Sequence, residues 1–419
     1  MKTLKRDKVV LDFRETQREQ RGTLAGQYPH VVEDKIYYQM ETPKEIHYAI
    51  KNEEGYRKPL YNNILSKSLA SHNFSVFIDT NPNTPEDERY KAVGGYHVGR
   101  ASVQTPHELG LHQATLYAEL NGCDISKDLE VVPFPDPVWP QFTKLLFKDD
   151  FHHPRHANGL YVFKSPDGID WEVYHDKPVL STFTECLESN KKLPPNVETL
   201  NRHEFMSTKD VLAFDTMPSI FYDHNINEYV MYLRANLNLG VRHVMYIHSK
   251  DLINWSTPTL IKTDPSFDMS HGNIYYMCAF PFGKKYIAFP PYFKNEIISN
   301  VTSMSKLYDD TEGNWIWGDA DGFVGAMNHG HHRKYYDTKT QVMISDDGIN
   351  WKVIGDILHS DTGNGHMTFP HVVSFREEDD VYALYVHEDF MTPRNKLVRY
   401  TVDKKEIEKM VALEEYAIQ

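Results

Sequence analysis

At 419 residues with 40 % apolar and 13 % aromatic content, the chain holds enough core for two or three ordinary domains or for one large repeat domain. A formal charge of −14, from 59 acidic and 45 basic residues, disfavours nucleic acid and anionic membrane surfaces as partners and suits neutral or cationic ligands. Cys123, Cys186 and Cys278 are odd in number and unpatterned in spacing, which points to neither a disulfide framework nor a zinc site and predicts free thiols.

The first 21 residues are rich in charge and lack the apolar core of a leader, and no stretch approaches the ~20 apolar residues of a membrane-spanning helix. A cytoplasmic location is expected unless a leader has been removed, with residues 1–27 as an N-terminal extension. From residue 28 on, β-branched and aromatic runs recur as five sets of about four strands. The first holds residues 28–32, 36–41 and 46–50. The second opens on 73–79, continues at 90–95 and resumes after a long excursion at 159–163. The third is the most compact, with strands beginning near Phe214, Tyr229, His243 and Pro258. The fourth holds 273–282, 285–290 and, after another excursion, 340–344. The fifth, at 369–373, 381–388 and 396–400, opens on Pro370-His371-Val372-Val373, an echo of Pro29-His30-Val31-Val32. Helical spacing is confined to Lys404 through Ala417, where Ile407, Met410, Val411 and Leu413 predict a terminal helix; residues 406–419 read as a tail.

Two recurring signatures fix the register. Asp79-Thr80-Asn81-Pro82 and Asp215-Thr216-Met217-Pro218 each set an aspartate beside a strand-like apolar run, where a buried carboxylate is costly unless it is paired or faces a cavity. Ser165-Pro166-Asp167-Gly168-Ile169-Asp170-Trp171, Ser249-Lys250-Asp251-Leu252-Ile253-Asn254-Trp255 and Ser345-Asp346-Asp347-Gly348-Ile349-Asn350-Trp351 each follow a strand. They read as turns between third and fourth strands, with serine and aspartate accepting backbone N–H groups and tryptophan packing on the next blade. Three matches at equivalent places predict radial repetition of four-stranded sheets. The expected fold class is all-β: one five-bladed β-propeller of four-stranded antiparallel blades over residues 28–405, with long loop insertions and a short C-terminal helix.

Residues 48–64, with Lys58-Pro59-Leu60 and Asn62-Asn63-Ile64, and residues 72–95 join these signatures in a resemblance to five-bladed propeller proteins. The chain resembles the clan of glycoside hydrolase families 32, 43 and 68, and more closely a little-characterised branch of glycosyl hydrolase-like proteins. Val386-His387-Glu388-Asp389-Phe390 with Leu397-Val398-Arg399-Tyr400 is similar to that branch's last blade. The resemblance implies a hydrolase acting on O-glycosyl bonds of an oligo- or polysaccharide through axial carboxylates: an aspartate as nucleophile or base, a second as stabiliser, a glutamate as general acid. Asp79 and Asp215 match the first two by position and flanking sequence. The strand where the glutamate is expected, Tyr275-Tyr276-Met277-Cys278, carries no carboxylate. Glu388, ending an apolar strand beside His387 and Asp389, is the substitute acid, its pKa raised by like-charge proximity. Glu41, ending the matching strand of the first set, is the reserve. The competing reading of Asp79 and Asp215 is that each caps its own turn.

Arg234, Arg242, His243, His271, His366 and Glu41 are the expected substrate-binding residues. Arg234 and Arg242 also suit an ion pair with Asp215. No metal is expected, because His329-Gly330-His331-His332 lacks carboxylate partners. No cofactor is required, and a structural divalent cation is compatible with the resemblance. The expected partner is a carbohydrate, not nucleic acid or membrane, with the chain a monomer or homo-oligomer. Excursions 101–158 and 183–210 exceed structureless loops and read as covers of the site or packing elements. The stiff run from Pro133 to Pro140 reads as a clamp in preference to a sugar-stacking platform. The alternatives to hydrolysis are phosphorolysis, which needs a basic cluster such as Arg234, Arg242 and His243, and a non-catalytic carbohydrate-binding propeller, which the missing carboxylate near Cys278 favours.

Overall fold

The computed structural model describes residues 4–13, 23–42, 45–59, 72–96, 105–106, 129–133, 142–147, 159–175, 179–181, 216–236, 242–256, 258–263, 272–298, 308–309, 314–315, 332–359, 370–390 and 395–417. Runs of β-branched and aromatic residues broken by tight turns form antiparallel meanders here. The first sheet is Thr23–Val32, Lys35–Thr42, Glu45–Asn52 and Gly55–Arg57 in sequence order. The second is His72–Ile78, Tyr90–Tyr96, Gly159–Ser165 and Glu172–Val173, and the third Ser219–Asp223, Glu228–Asn236, Arg242–Ser249 and Thr259–Leu260. A fourth, seven-stranded sheet contains the meander Ala279–Phe282, Lys285–Ala288, His332–Ser345 and Asn350–His359. The last sheet runs His371–Glu378, Val381–Glu388, Lys396–Asp403 and then, out of sequence order, Lys5–Asp12.

The sheets take a β-propeller arrangement in which four blades are distinguished. First strands lie side by side from sheet to sheet, His371–Glu378 against Thr23–Val32, that against His72–Ile78, and that against Ser219–Asp223. Apolar clusters fill the gaps: Tyr37, Phe74 and Trp171 between the first two sheets, Phe77, Val162 and Met231 between second and third, Val230, Tyr286 and Met343 between third and fourth. A larger cluster runs from Ile287 and Phe289 through Val372 and Leu384 to Leu11, Phe13 and Ile36. The C-terminal helix Lys404–Ala417 buries Ile407 on the last sheet. Cys278 is a free, buried thiol. Among the described residues no helix is long and apolar enough to cross a membrane.

The three Ser-x-Asp turns have one geometry. In the first, Asp167 Oδ1 accepts from the backbone N–H groups of Ile169 and Asp170 at 2.8 and 2.9 Å, and Ser165 Oγ accepts from Gly168 N at 2.9 Å. Trp171 Nε1 then donates to Gly168 O at 3.0 Å, and Tyr37 of the preceding sheet donates to the same carbonyl at 2.8 Å. Gly168 sits at φ 77°, and a Cβ there would come within 2.4 Å of Tyr37 Oη, so glycine serves both the turn and the neighbour's approach. The third turn repeats this with Tyr232 on Gly348 O at 2.9 Å.

A second device ties sheet to sheet at the turns after the first strands. Tyr90 donates to Glu33 at 2.5 Å, Tyr229 donates to Asp79 at 3.0 Å, and Tyr286 donates to Asp223. Each acid closes the first strand of one sheet, and each tyrosine begins the second strand of the next.

The N-terminus departs from the expected extension, because Lys5–Asp12 is the outer strand of the last sheet, paired from Lys5 with Thr401 to Asp12 with Lys396. Three of its eight residues are Lys or Arg on an exposed edge, a composition that reads as solvated tail although the backbone is paired.

Tyr229→Phe and Tyr286→Phe each leave a buried carboxylate short of a donor and are expected to cost about 1–3 kcal/mol in denaturant titrations. Tyr90→Phe, whose partner Glu33 has a side chain 39 % exposed and also bound by Arg89, is expected to cost less than about 1 kcal/mol.

Candidate functional site

The meanders divide the connections between two ends. Links from first to second and from third to fourth strands span at most 11 residues, the longest being 79–89. Links from second to third strands, and from one sheet to the next, run at the opposite end and include residues 97–158, 174–218, 299–331 and 360–370. Long insertions on a rigid scaffold are where binding groups are mounted, so the loop-rich end is the candidate site.

At that end the residues at the openings of the first strands form a buried polar and aromatic cluster. Tyr28 and Tyr275 share a hydrogen bond of 2.8 Å between their hydroxyls. Arg234, 1 % exposed, donates to Tyr275 O at 2.8 Å and lays its guanidinium 4.5 Å from the centre of the Tyr275 ring. His371 packs on Tyr275, Tyr276 and Phe390 at 5.6, 5.3 and 4.3 Å, and His387 lies 5.9 Å away. Tyr28 holds φ 46°, a left-handed conformation unusual outside glycine, in a strand with irregular pairing at Ala25–Gln27 and Gln27–His30. Burial holds both imidazoles neutral: it lowers His387 to about 3 and His371 well below its ordinary value. The cluster therefore offers neutral hydrogen-bonding groups, aromatic faces and one cation.

The expected site residues divide. Arg234 belongs to this cluster. His243 is buried but donates to Ile261 O at 3.0 Å, between the third and fourth strands of its own sheet. Arg242 begins a strand opposite Asn236, and Glu41 lies near the end of Lys35–Thr42, both toward the loop-rich end. Asp215, His271 and His366 lie outside the described residues, as do the runs 134–140 and 329–331.

Asp79 departs from the expectation of an axial nucleophile. It follows its strand at the short-turn end, with a fully buried carboxylate bound by Tyr229, by Lys91 Nζ at 3.4 Å and by Asn81 N at 3.0 Å. The structural equivalent of Asp79 is Asp223, which accepts from Asn225 N at 2.8 Å and from Tyr286. Asp215 precedes the third sheet's first strand where Asp79 follows the second's, so the shared Asp-Thr-x-Pro letters stand at opposite ends of the two strands. The repeat that carries structure is Asp-x-Asn, at Asp79-Thr80-Asn81 and Asp223-His224-Asn225.

Glu388 also departs from its expected role. Burial alone would raise its pKa. Hydrogen bonds from Arg6 at 2.9 and 3.1 Å and from Tyr400 at 2.6 Å, with the charges of Arg6 and Lys396, outweigh burial and hold it below 4.5. A carboxylate so held is a poor proton donor. Its side chain clips the N-terminal strand instead of turning to the axis, a partner that neighbouring residues did not announce. The residues missed were Tyr28, Tyr275 and His371, whose signals were the doubled Pro-His-Val-Val and the pair Tyr275-Tyr276, and His387, which the sequence offered only as a neighbour of Glu388.

Among the described residues no group of three or more histidine, cysteine or acidic side chains is placed to hold a metal ion. No family model matches the chain, and no curated protein matches it. Among solved structures, an endo-arabinase from Bacteroides thetaiotaomicron is 10 % identical with a TM-score of 0.42, covering 94 % of this chain and 98 % of that one. A GH93 alpha-L-arabinofuranosidase of Fusarium graminearum, solved with arabinobiose, is 8 % identical with a TM-score of 0.39, covering 96 % and 99 %. A Bombyx mori GH32 beta-fructofuranosidase is 12 % identical with a TM-score of 0.37, covering 89 % and 59 %. The chain is thus similar over most of its length to glycosidases; at these scores the case for its function rests on its own residues.

Glu388→Gln is expected to cost about 1 kcal/mol at neutral pH, with Arg6 discounted for its 45 % exposure. A depressed pKa contributes stability above 4.5 that is lost as pH falls through the folded-state pKa, so the difference in midpoint between wild type and variant should be full at neutral pH and shrink progressively once the pH drops below 4.5.

Proposed function

We propose that the protein is a glycoside hydrolase working at the loop-rich end of a five-bladed propeller, the seven-stranded sheet supplying the fifth blade. The observation that carries this is the cluster of Tyr28, Arg234, Tyr275, His371 and His387 where first strands open. Neutral donors and aromatic faces suit sugar hydroxyls and the apolar faces of a pyranose or furanose ring. The chemistry needs two carboxylates, one ionised toward the anomeric carbon and one protonated toward the leaving oxygen. With Asp79 and Glu388 committed elsewhere, the candidates are Asp215, just before the third sheet's first strand, and Glu41. The resemblance to propeller glycosidases in residues 48–64 and 72–95 supports the same reading.

Phosphorolysis is less suited. A phosphate needs several cations, and the two imidazoles beside Arg234 are held neutral. A non-catalytic carbohydrate-binding propeller is the second reading, favoured by the stretch Tyr275-Tyr276-Met277-Cys278, which brings aromatic rings and no carboxylate to the cluster.

A panel of oligosaccharides and activated glycosides tests the reading. Turnover in the native protein should fall ~10²–10⁴-fold or more in Asp215→Asn and in Glu41→Gln, with binding by calorimetry retained. The variant lacking the acid should recover on an activated aglycone. Binding with no turnover across the panel would replace the hydrolase with the binding propeller.

A further inference from the structure

The ring is closed by a strand from the far end of the chain, and that strand ends on a plug. Phe13, fully buried, meets the His387 ring edge-on at 5.4 Å and the Tyr38 ring at 5.1 Å. Gly26, at φ 78°, makes room for it, since a Cβ there would lie 2.1 Å from Phe13 Cγ. Outside, the strand is clipped by Arg6 on Glu388, by Arg399 on Asp7 and by Lys58 Nζ, which donates to Asp12 O at 2.6 Å.

Behind the plug lie His387 and His371, their rings 5.9 Å apart and closed off by Phe390 at 5.4 and 4.3 Å. Neither ring nitrogen of His387 has a hydrogen-bond partner among the described residues. The ionisable groups around the pair are Tyr28 on Thr23–Val32, Tyr38 on Lys35–Thr42, Tyr275 and Tyr276 before the fourth sheet, and Arg234 across the Tyr275 ring. Glu388, next in sequence, is bound to Arg6 and Tyr400. An imidazole with no acceptor in an aromatic box has no way to take a proton while the box is shut.

We propose that the N-terminal strand is an acid-released clasp: Phe13 seals the His371–His387 pair, and protonation of that pair drives the strand off the last sheet and opens the loop-rich end of the ring.

The direction follows from linkage. Both histidines are depressed by burial when the clasp is shut, His387 to about 3, and return toward 6.5 when it opens. The shut state is therefore fully favoured above pH 6.5 and loses ground as pH falls below it. Between pH 7.5 and 5 the release equilibrium should rise about 30-fold for one imidazole and about 10³-fold for two. The window stops at pH 5 so that it stays above the range in which the clip carboxylate Glu388, held below 4.5, takes up its proton.

Hydrogen exchange of the full chain, read by mass spectrometry as protection relative to intrinsic rates at each pH, tests the clasp without any substrate. Amides of residues 5–13 should lose protection about 10³-fold from pH 7.5 to 5, while those of Glu228–Asn236 keep theirs. His387→Phe, which removes no hydrogen bond to a described residue, should cut the change to about 30-fold, and His371→Phe with His387→Phe should abolish it. Phe13→Ala should lose protection at both pH values. If the histidine variants do not fold, the proton spectrum of the native imidazoles decides: His387 must stay neutral wherever residues 5–13 stay protected. The clasp is overturned if that protection is flat with pH, if the full ~10³-fold pH dependence survives in His387→Phe or any of it survives in the double variant, if all sheets lose protection together, or if His387 titrates near 6.5 under a shut strand. Glycosidase assays bear on none of these outcomes, so the clasp and the proposed activity stand or fall separately.

Discussion

A carboxylate taken out of water must be given partners, and in this ring those partners come from the next sheet. Asp79 is fully buried, as is Asp223, and each is satisfied by a tyrosine that opens the following sheet's second strand. A tyrosine hydroxyl reaches such an acid only if adjacent first strands run in the same sense and stand at matching heights. The latches therefore fix the register between sheets, and with it the separation of a short-turn end from a loop-rich end. The Ser-x-Asp turns secure the outer strands at the same end, through Tyr37 on Gly168 and Tyr232 on Gly348.

Much of this was legible. The all-β class, the three tryptophan turns and the terminal helix each rest on local pattern, and local pattern survives into the fold, in which four blades are distinguished where five sets were expected. The ring's closure was not legible, because Lys5–Asp12 is charged on its exposed edge and its partners lie nearly four hundred positions away. The partners of Glu388 were hidden for the same reason: its neighbours in sequence suggested a raised pKa, and a distant arginine reverses it. Asp79 is a different case. Its four-letter match to Asp215 was real, yet a motif of that length carries no information on whether it precedes or follows its strand. The Asp-x-Asn spacing, in which the side chain takes the N–H two residues on, was the better guide to equivalence.

The loop-rich cluster has a consistent physical character. Its imidazoles are neutral, its arginine is spread over an aromatic face, and its tyrosines bond to each other. In the proposed reading this buried lining meets the sugar by shape and hydroxyl pattern without strong charge, and the same neutral His371–His387 pair serves the proposed clasp.

In the proposed reading the site lies at the loop-rich end and Asp79 is a latch between sheets. A crystal structure with a bound, uncleaved oligosaccharide tests this most directly. The sugar should lie beside Arg234, Tyr275 and His371, with the carboxylates of Asp215 and Glu41 flanking the glycosidic oxygen. A sugar seated at the short-turn end against Asp79, with the Tyr229 hydrogen bond broken to receive it, would contradict the account.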